Sequence, residues 1–362
     1  MRIKEIDLRT DIVKRFLNAT EEKEICYLLK EYSNQFFDWQ TSYLRLRGLP
    51  TSKEYSVHLS KDKSFNDYFV ITSNKKTINL KALQGGYTYY YRVHGDNNFL
   101  KEGMIKTKNT PGVFYNIGGL CNVRDIGGWE TVDGKRIKHG LIIRGSRTND
   151  HDDVPSYTQE GYDLLTKALK IKGEIDFRHP HDIFGQTHNF INKDYPYLVA
   201  PFTTCCYIVP SFNDGGPNHR YYDDKTAKSF HDIFKFLLDK KNYPVFIHCN
   251  SGADRTGTIC MILEGVLGVP LESIYRDFEL TSFSPGTKHW RSGITDDYKF
   301  DGTGIMQDDQ FNYVAAEKCL KRINNQYGPG KSIQEAITNY LKEVCNITDE
   351  DISQLKEILL EN

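Results

Sequence analysis

"HCNSGADRTGT", residues 248–258, follows the apolar run Tyr243-Pro-Val-Phe-Ile247 and leads straight into a second apolar stretch at Ile259. A run that ends on His248 and Cys249, turns on Gly252 and places Asp254 and Arg255 before Thr256-Gly257 reads as a strand–loop–helix corner. In α/β sheets, ligands sit beyond the carboxyl ends of the strands, where a turn feeds a helix N-terminus. The loop Cys249, Asn250, Ser251, Gly252, Ala253, Asp254 and Arg255 can turn its successive N–H groups inward as an anion nest at the positive end of that helix. Gly252 permits close backbone approach, and Arg255 offers a planar fork to two phosphate oxygens.

The same field accounts for the cysteine. A thiol at a helix N-terminus beside a guanidinium loses its proton more readily than a free one, so Cys249 is expected as a thiolate held against the bound anion. Such a sulfur is placed for in-line attack on a phosphate monoester, giving a phosphocysteine that water then hydrolyses. Thr256 is expected to donate its hydroxyl to the sulfur as it leaves. His248 either orients the loop or supports catalysis. A lone C-x5-R occurs by chance; the preceding strand, the His, the Gly at the fourth position and the following Arg-Thr-Gly together make the phosphate site.

Outward from the loop, strands alternate with helices. "GLIIRGS", "GEIDFR", "YLVAPF" and "YPVFIH" read as strands, and "TQEGYDLLTKALK", "TAKSFHDIFKFLLDKK", "DRTGTICMILEGVLG" and "PLESIYRDFELT" as helices. The tail adds "DQFNYVAAEKCLKRINNQY", "SIQEAITNYLKEVC" and "TDEDISQLKEILLE", the last opening on Thr348 and Asp351 as a near capping box. This alternation predicts an α/β sheet flanked by helices. Ahead of it, residues 1–33 read as polar helix, and residues 34–110 as short alternating runs rich in aromatic and β-branched residues. "FFDWQ", "SYLRLRGL", "EYSVHLSKD", "YFVITS", "KTINLKAL" and "YTYYYRVHG" predict an all-β sandwich. "NTPG", 109–112, reads as a linker, and 111–362 as the catalytic unit.

Several segments resemble known families. "HCNSGADRTG" resembles the H-C-x-x-G-x-x-R-[ST]-G signature of the cysteine-dependent protein tyrosine phosphatases. "NVRDIGGWET", "GLIIRGSRTND", "GEIDFRHPHD" and the helical tail resemble the bacterial tyrosine/serine phosphatase branch, over about 113–361. The order "FDWQ", "EYSVHLSKDKSF", "LKALQGGYTYYYRVHG" resembles a fibronectin type III module over 34–108. The resemblance implies a phosphatase fold acting on phosphotyrosine, and on phosphoserine or phosphothreonine, in proteins. Ala253 departs from the branch, where Lys is frequent and goes with acidic lipid headgroups, which weakens a phosphoinositide reading. Relatives with C-x4-D-R make Asp254 the expected general acid. Asp176 is the alternative, although Asp176 and Arg178 are better read as bracing the site. Asp125 and Arg124 are expected to hold the "RDIGG" turn. The segment 281–305 is an irregular excursion, either a substrate lid or a surface loop.

Composition narrows the rest. With 362 residues, 39% hydrophobic, 26% charged and a formal net charge of -1, the chain is globular and has no footprint for nucleic acid. No segment approaches the ~20 apolar residues needed to span a bilayer. Eight cysteines without metal-like spacing argue against a disulfide framework, and no metal or other cofactor is expected. Cys205-Cys206 reads as ordinary packing. The setting is expected to be cytoplasmic, with secretion the alternative if a leader has been removed. The partner is a phosphorylated protein or a small phosphate monoester. Inositol phosphates or phosphoinositides, a catalytically silent phospho-binding module and a sulfur-transferring rhodanese remain competing readings. The β unit is expected either to pack on the phosphatase unit or to bind a partner.

Overall fold

A computed structural model describes residues 5–33, 42–151, 154–203, 224–284, 293–300 and 313–361. The chain opens with β1 (Glu5–Ile6), then α1 (Asp11–Asn18) and α2 (Glu22–Tyr32). Thr10 caps α1, its hydroxyl accepting from the Val13 N–H at 3.2 Å, which satisfies one of the orphan donors of the first turn. Six strands follow: β2 (Tyr43–Arg45), β3 (Tyr55–Ser60), β4 (Phe69–Ser73), β5 (Thr77–Asn79), β6 (Thr88–Gly95) and β7 (Asn98–Thr107). They form a five-stranded sheet in the order β1-β7-β6-β3-β4 and a separate β2-β5 ribbon. Alternate residues of β3 and β6 (Tyr55, Val57, Leu59; Tyr89, Tyr91, Val93) are buried, the period of two expected of a half-buried sheet. The expected strand "FFDWQ" lies outside the described residues.

The remaining chain builds a second sheet. Its elements are β8 (Arg124–Asp125), β9 (Ile142–Gly145), the hairpin β10 (Asn149–His151) and β11 (Val154–Pro155), α3 (Gln159–Asp163), β12 (Gly173–Asp176), β13 (Tyr197–Val199), α4 (Asp224–Leu238) and β14 (Val245–His248). There follow α5 (Asp254–Leu267), α6 (Leu271–Glu279), α7 (Tyr313–Tyr327), α8 (Ile333–Cys345) and α9 (Asp349–Leu359). The sheet order is β13-β12-β14-β9-β8. The first four strands are mutually parallel, and β8 closes the edge antiparallel. Parallel strands covered on both faces read as continuous apolar runs, as β9 and β14 do.

Those two faces are covered differently. Ile142, Ile175, Val245 and Ile247 join a buried cluster with residues of α4, α5, α6, α7, α8 and α9. Ile143 and Phe246, pointing the other way, join a cluster with Leu164, Leu165 and the inner residues of β3 and β6. The helices thus cover one face, and the N-terminal strands with the α3 region cover the other. α1 and α2 pack with the helical face through Val13, Phe16, Leu28 and Leu29, where the Phe16 and Phe283 rings meet edge to face at 5.0 Å. The "NTPG" stretch is packed: Gly112 sits at φ +80° beside Leu17, Val13 and Leu280. The capping box expected at Thr348 and Asp351 is present, and Ser332 and Glu335 form another at α8. Among the described residues no helix is long and apolar enough to cross a membrane.

Candidate active site

The loop 249–255 leaves β14 and enters α5, and its shape is set from behind. The Gly252 carbonyl accepts from Asn122 Nδ2 and from an Arg144 guanidinium nitrogen, both at 2.8 Å. The Asn250 carbonyl accepts from the Arg147 N–H at 3.1 Å, and that of Ala253 from the Gly257 N–H at 2.7 Å. With the carbonyls held outward, the backbone N–H groups of Asn250 to Arg255 have no protein acceptor among the described residues. Such a ring of unpaired amides at a helix N-terminus is an anion cradle. Gly252 is needed there: its φ is +65°, and a Cβ would lie 2.4 Å from the Gly145 carbonyl oxygen.

Cys249 is buried at the base of this loop. The Thr256 hydroxyl is buried with no hydrogen-bond partner among the described residues, so it is free to serve an atom at the site. Arg255 reaches back along the sheet end, donating to the Phe177 carbonyl at 3.3 Å and lying 3.5 Å from an Asp182 carboxylate oxygen. Asp254 is half-buried on the first turn of α5. Its backbone carbonyl accepts from Thr258.

Below the loop lies a buried charge network. Arg144 donates to an Asp277 carboxylate oxygen at 2.9 Å, and Arg124 donates to the Asp277 carbonyl at 2.9 Å and to Asn122. Burial, followed by the neighbouring Arg144, pulls the Arg124 guanidinium down to about 10, so it stays charged at neutral pH. Glu264 is buried without a hydrogen-bond partner among the described residues. Burial, then the Asp277 carboxylate, pushes it well above the usual range, so it offsets little of this charge. Two guanidiniums against one carboxylate leave positive charge under the cradle, where low-dielectric surroundings strengthen its pull on an anion.

A second network flanks the loop on β12. Asp176 accepts from Arg178 Nε at 2.9 Å and from a terminal guanidinium nitrogen at 2.6 Å, from the Arg178 N–H at 2.9 Å and from the Tyr197 hydroxyl at 2.8 Å. Burial opposes its ionisation, but His248 and Arg178 outweigh burial and hold it below the usual carboxylate range. So saturated, and fully buried, Asp176 has no proton to give at neutral pH. Arg178 also binds the Asp182 carbonyl and Gln186, which fixes the loop that carries Asp182. His248 lies wholly inside, its Nε2 2.9 Å from Glu174 Oε1 and its Nδ1 3.3 Å from the Cys249 carbonyl.

The structure therefore brings Cys249, Asn250, Ser251, Gly252, Ala253, Asp254, Arg255 and Thr256 together at one sheet end, with His248, Asp176 and Arg178 behind them. Five contributors were not anticipated as site residues: Asn122, Arg144, Asp277, Glu174 and Asp182. The signals were there. Glu174 is a carboxylate inside an apolar strand, Arg144 is a cation at the end of another, and Asp182 follows Arg178 by four. Cys205-Cys206 and most of the 281–305 excursion fall outside the described residues.

Residues 115–361 match the family model described as "Tyrosine phosphatase family", and the chain belongs to that family. Over 73 residues it is 27% identical to "Putative tyrosine-protein phosphatase OCA1" of Saccharomyces cerevisiae (strain YJM789). That stretch is 20% of this chain and 31% of the yeast protein, so the match spans less than a third of its length. Among solved structures, it is similar at 18% identity to the core catalytic domain of PP-IP phosphatase SIW14 from S. cerevisiae in complex with citrate, covering 41% of this chain and 76% of that one with a TM-score of 0.27. A second Siw14 catalytic core gives 16% identity, 41% and 73% coverage and a TM-score of 0.28.

Proposed function

We propose that this phosphatase hydrolyses phosphotyrosine in proteins, with phosphoserine and phosphothreonine as secondary substrates, through a phosphocysteine on Cys249. The observation that carries the reading is the loop itself: amides of Asn250 to Arg255 without acceptors among the described residues, the Gly252 carbonyl tied outward by Asn122 and Arg144, and a cysteine at the base. The bound phosphate replaces Asp182 as the partner of Arg255 and fills the cradle. The Cys249 sulfur then forms its bond to phosphorus as the ester P–O bond breaks, and Asp254 delivers a proton to the departing oxygen. Water attacks the phosphocysteine and gives its proton to the Asp254 carboxylate as the S–P bond breaks, and the Thr256 hydroxyl steadies the released sulfur.

The sequence likeness supports the bacterial tyrosine/serine branch and a fibronectin type III-like reading of the N-terminal strands. The alternating burial of β3 and β6 suits a sandwich layer, here serving as cover for the phosphatase sheet. Hydrolysis of inositol phosphates or phosphoinositides would use the same chemistry, but Ala253 is 1% exposed and brings no cation to a multiply charged headgroup.

The test is a panel of phosphotyrosine peptide, phosphoserine peptide, inositol phosphates and phosphoinositides at equal concentration. Phosphotyrosine peptide is expected to give the highest kcat/KM. Cys249→Ser is expected to lower turnover by at least about 10³ while phosphate still binds. Turnover that survives Cys249→Ser, or a preference for inositol phosphates, overturns the reading.

A further inference from the structure

We propose that the cleft between the N-terminal strands and the starting ends of β9, β12 and β14 is a second anion site, which takes a small organic phosphate through Lys61 and Lys172. The cleft has a volume of about 470 Å³ and is bounded by Leu59, Tyr87 and Tyr89 on one side and Leu141, Leu169 and Pro244 on the other. That size falls in the range of small-molecule pockets, which pair an apolar wall with a few placed polar groups. Pro244 and Cys249 are five residues apart along one strand, roughly 16 Å, so the cleft and the cradle lie at opposite ends of the sheet.

Charge selects the ligand. Although much of Lys61 is exposed, its ammonium is tucked over the Tyr87 ring, 3.4 Å from the centroid, and donates to Gln84 Oε1. Both partners are neutral. Among the described residues no carboxylate pairs with Lys61 or with Lys172, whose ammonium lies 5.6 Å from the Tyr195 ring. Burial, with a smaller push from Lys170 and against the pull of Asp125, lowers Lys61 to about 8. A partly desolvated ammonium facing a ring and an amide is under-compensated, and an anion in the cleft supplies the missing charge.

The third lysine, Lys170, is already paired with Asp67, and the other lining carboxylate, Asp62, accepts from Ser64 and Asn66 rather than from a lysine, so the ammonium groups of Lys61 and Lys172 remain for the ligand. That matches one phosphate dianion, which lysine binds as a point charge. The apolar wall suits an aromatic or aliphatic body on the same molecule, in a position that a free inorganic ion would leave empty.

The experiment is calorimetric titration of full-length Arg255→Ala with phenylphosphonate, which resists hydrolysis; the substitution weakens the catalytic cradle and leaves the cleft intact. One saturable site is expected, weakened about tenfold by Lys61→Gln and by Lys172→Gln, each losing one charged contact, and unaltered by the exposed Lys63→Gln. Melting curves establish that each variant is folded; if Lys61→Gln is not, Lys172→Gln decides alone. Absence of saturable binding, affinity unchanged in the folded lysine variants, or inorganic phosphate binding as tightly as phenylphosphonate overturns the proposal.

Discussion

The two ends of the parallel strands are built to opposite rules. At the carboxyl ends, polar and charged groups are buried in pairs: Asp176 with Arg178, His248 with Glu174, and Arg144 and Arg124 sharing Asp277. At the amino ends, the sheet meets the N-terminal strands across an open cleft where ammonium groups rest on rings and amides. Buried ion pairs add little net stability over apolar packing, yet losing one partner is costly. Gathered behind the loop, these pairs serve geometry. They hold the loop's carbonyls outward before any phosphate arrives, so little reorganisation is left for the reaction.

The widest departure from that contrast would come from the proton donor. Asp254→Asn is expected to slow alkyl phosphates by about 10²–10⁴, and aryl phosphates with good leaving groups much less, in steady-state kinetics across leaving-group pKa. Equal losses for both classes mean that Asp254 only shapes the loop. If Asp182→Asn shows the selective loss instead, the acid belongs to the loop held by Arg178.

Next in size is the bracing pair itself. Asp176→Asn leaves Arg178 buried without its carboxylate and should cost about 3–5 kcal/mol of stability at neutral pH, read by urea unfolding. Because the folded-state carboxylate titrates below its unfolded value, this stability is present above the unfolded pKa of about 3.9 and is lost as pH falls through the folded one. The gap between wild type and variant should therefore narrow in acid. A constant gap would show that packing, not charge, is what the substitution removes.

The smallest change concerns the group that breaks the matching rule at the carboxyl end. Glu264 has no hydrogen-bond partner among the described residues, and burial disfavours its charged form. Above the unfolded pKa of about 4.3 the unfolded chain ionises while the folded one keeps its proton, so stability declines with rising pH until the folded pKa is reached. Glu264→Leu removes that penalty and should stabilise by about 1 kcal/mol at pH 7 and by less at pH 4, in melts at the two pH values. Destabilisation at neutral pH would mean that the carboxyl serves the arginine network.

How far the sequence could be read follows the range of the interactions. The elements around "YPVFIH" and the helices of the tail are local patterns, and the structure places them as expected. The strand β7, ten residues long, escaped because Lys101, Glu102 and Lys106 interrupt its apolar side and only its pairing with β6 and β1 makes it a strand. The site divides the same way. Cys249 to Thr256 lie together in the chain, so their chemistry is legible as a motif. Glu174 meets His248 across 74 positions, Asn122 meets Gly252 across 130, and Arg144 meets Asp277 across 133. No local pattern announces such partners; strand register brings them together.

Residues 5–33 bind the two halves into one body. β1 extends the N-terminal sheet by pairing with β7, while Val13, Phe16, Leu28 and Leu29 sink into the helical layer on the far side of the phosphatase sheet. A cut at the stretch 109–112 would therefore not release two autonomous modules: the catalytic half would lose the lining of a hydrophobic wall, and the strand layer would take with it helices that have nowhere else to bury. The molecule should melt as a single cooperative unit, and evolution can exchange its amino-terminal layer only together with the clasp that fastens it.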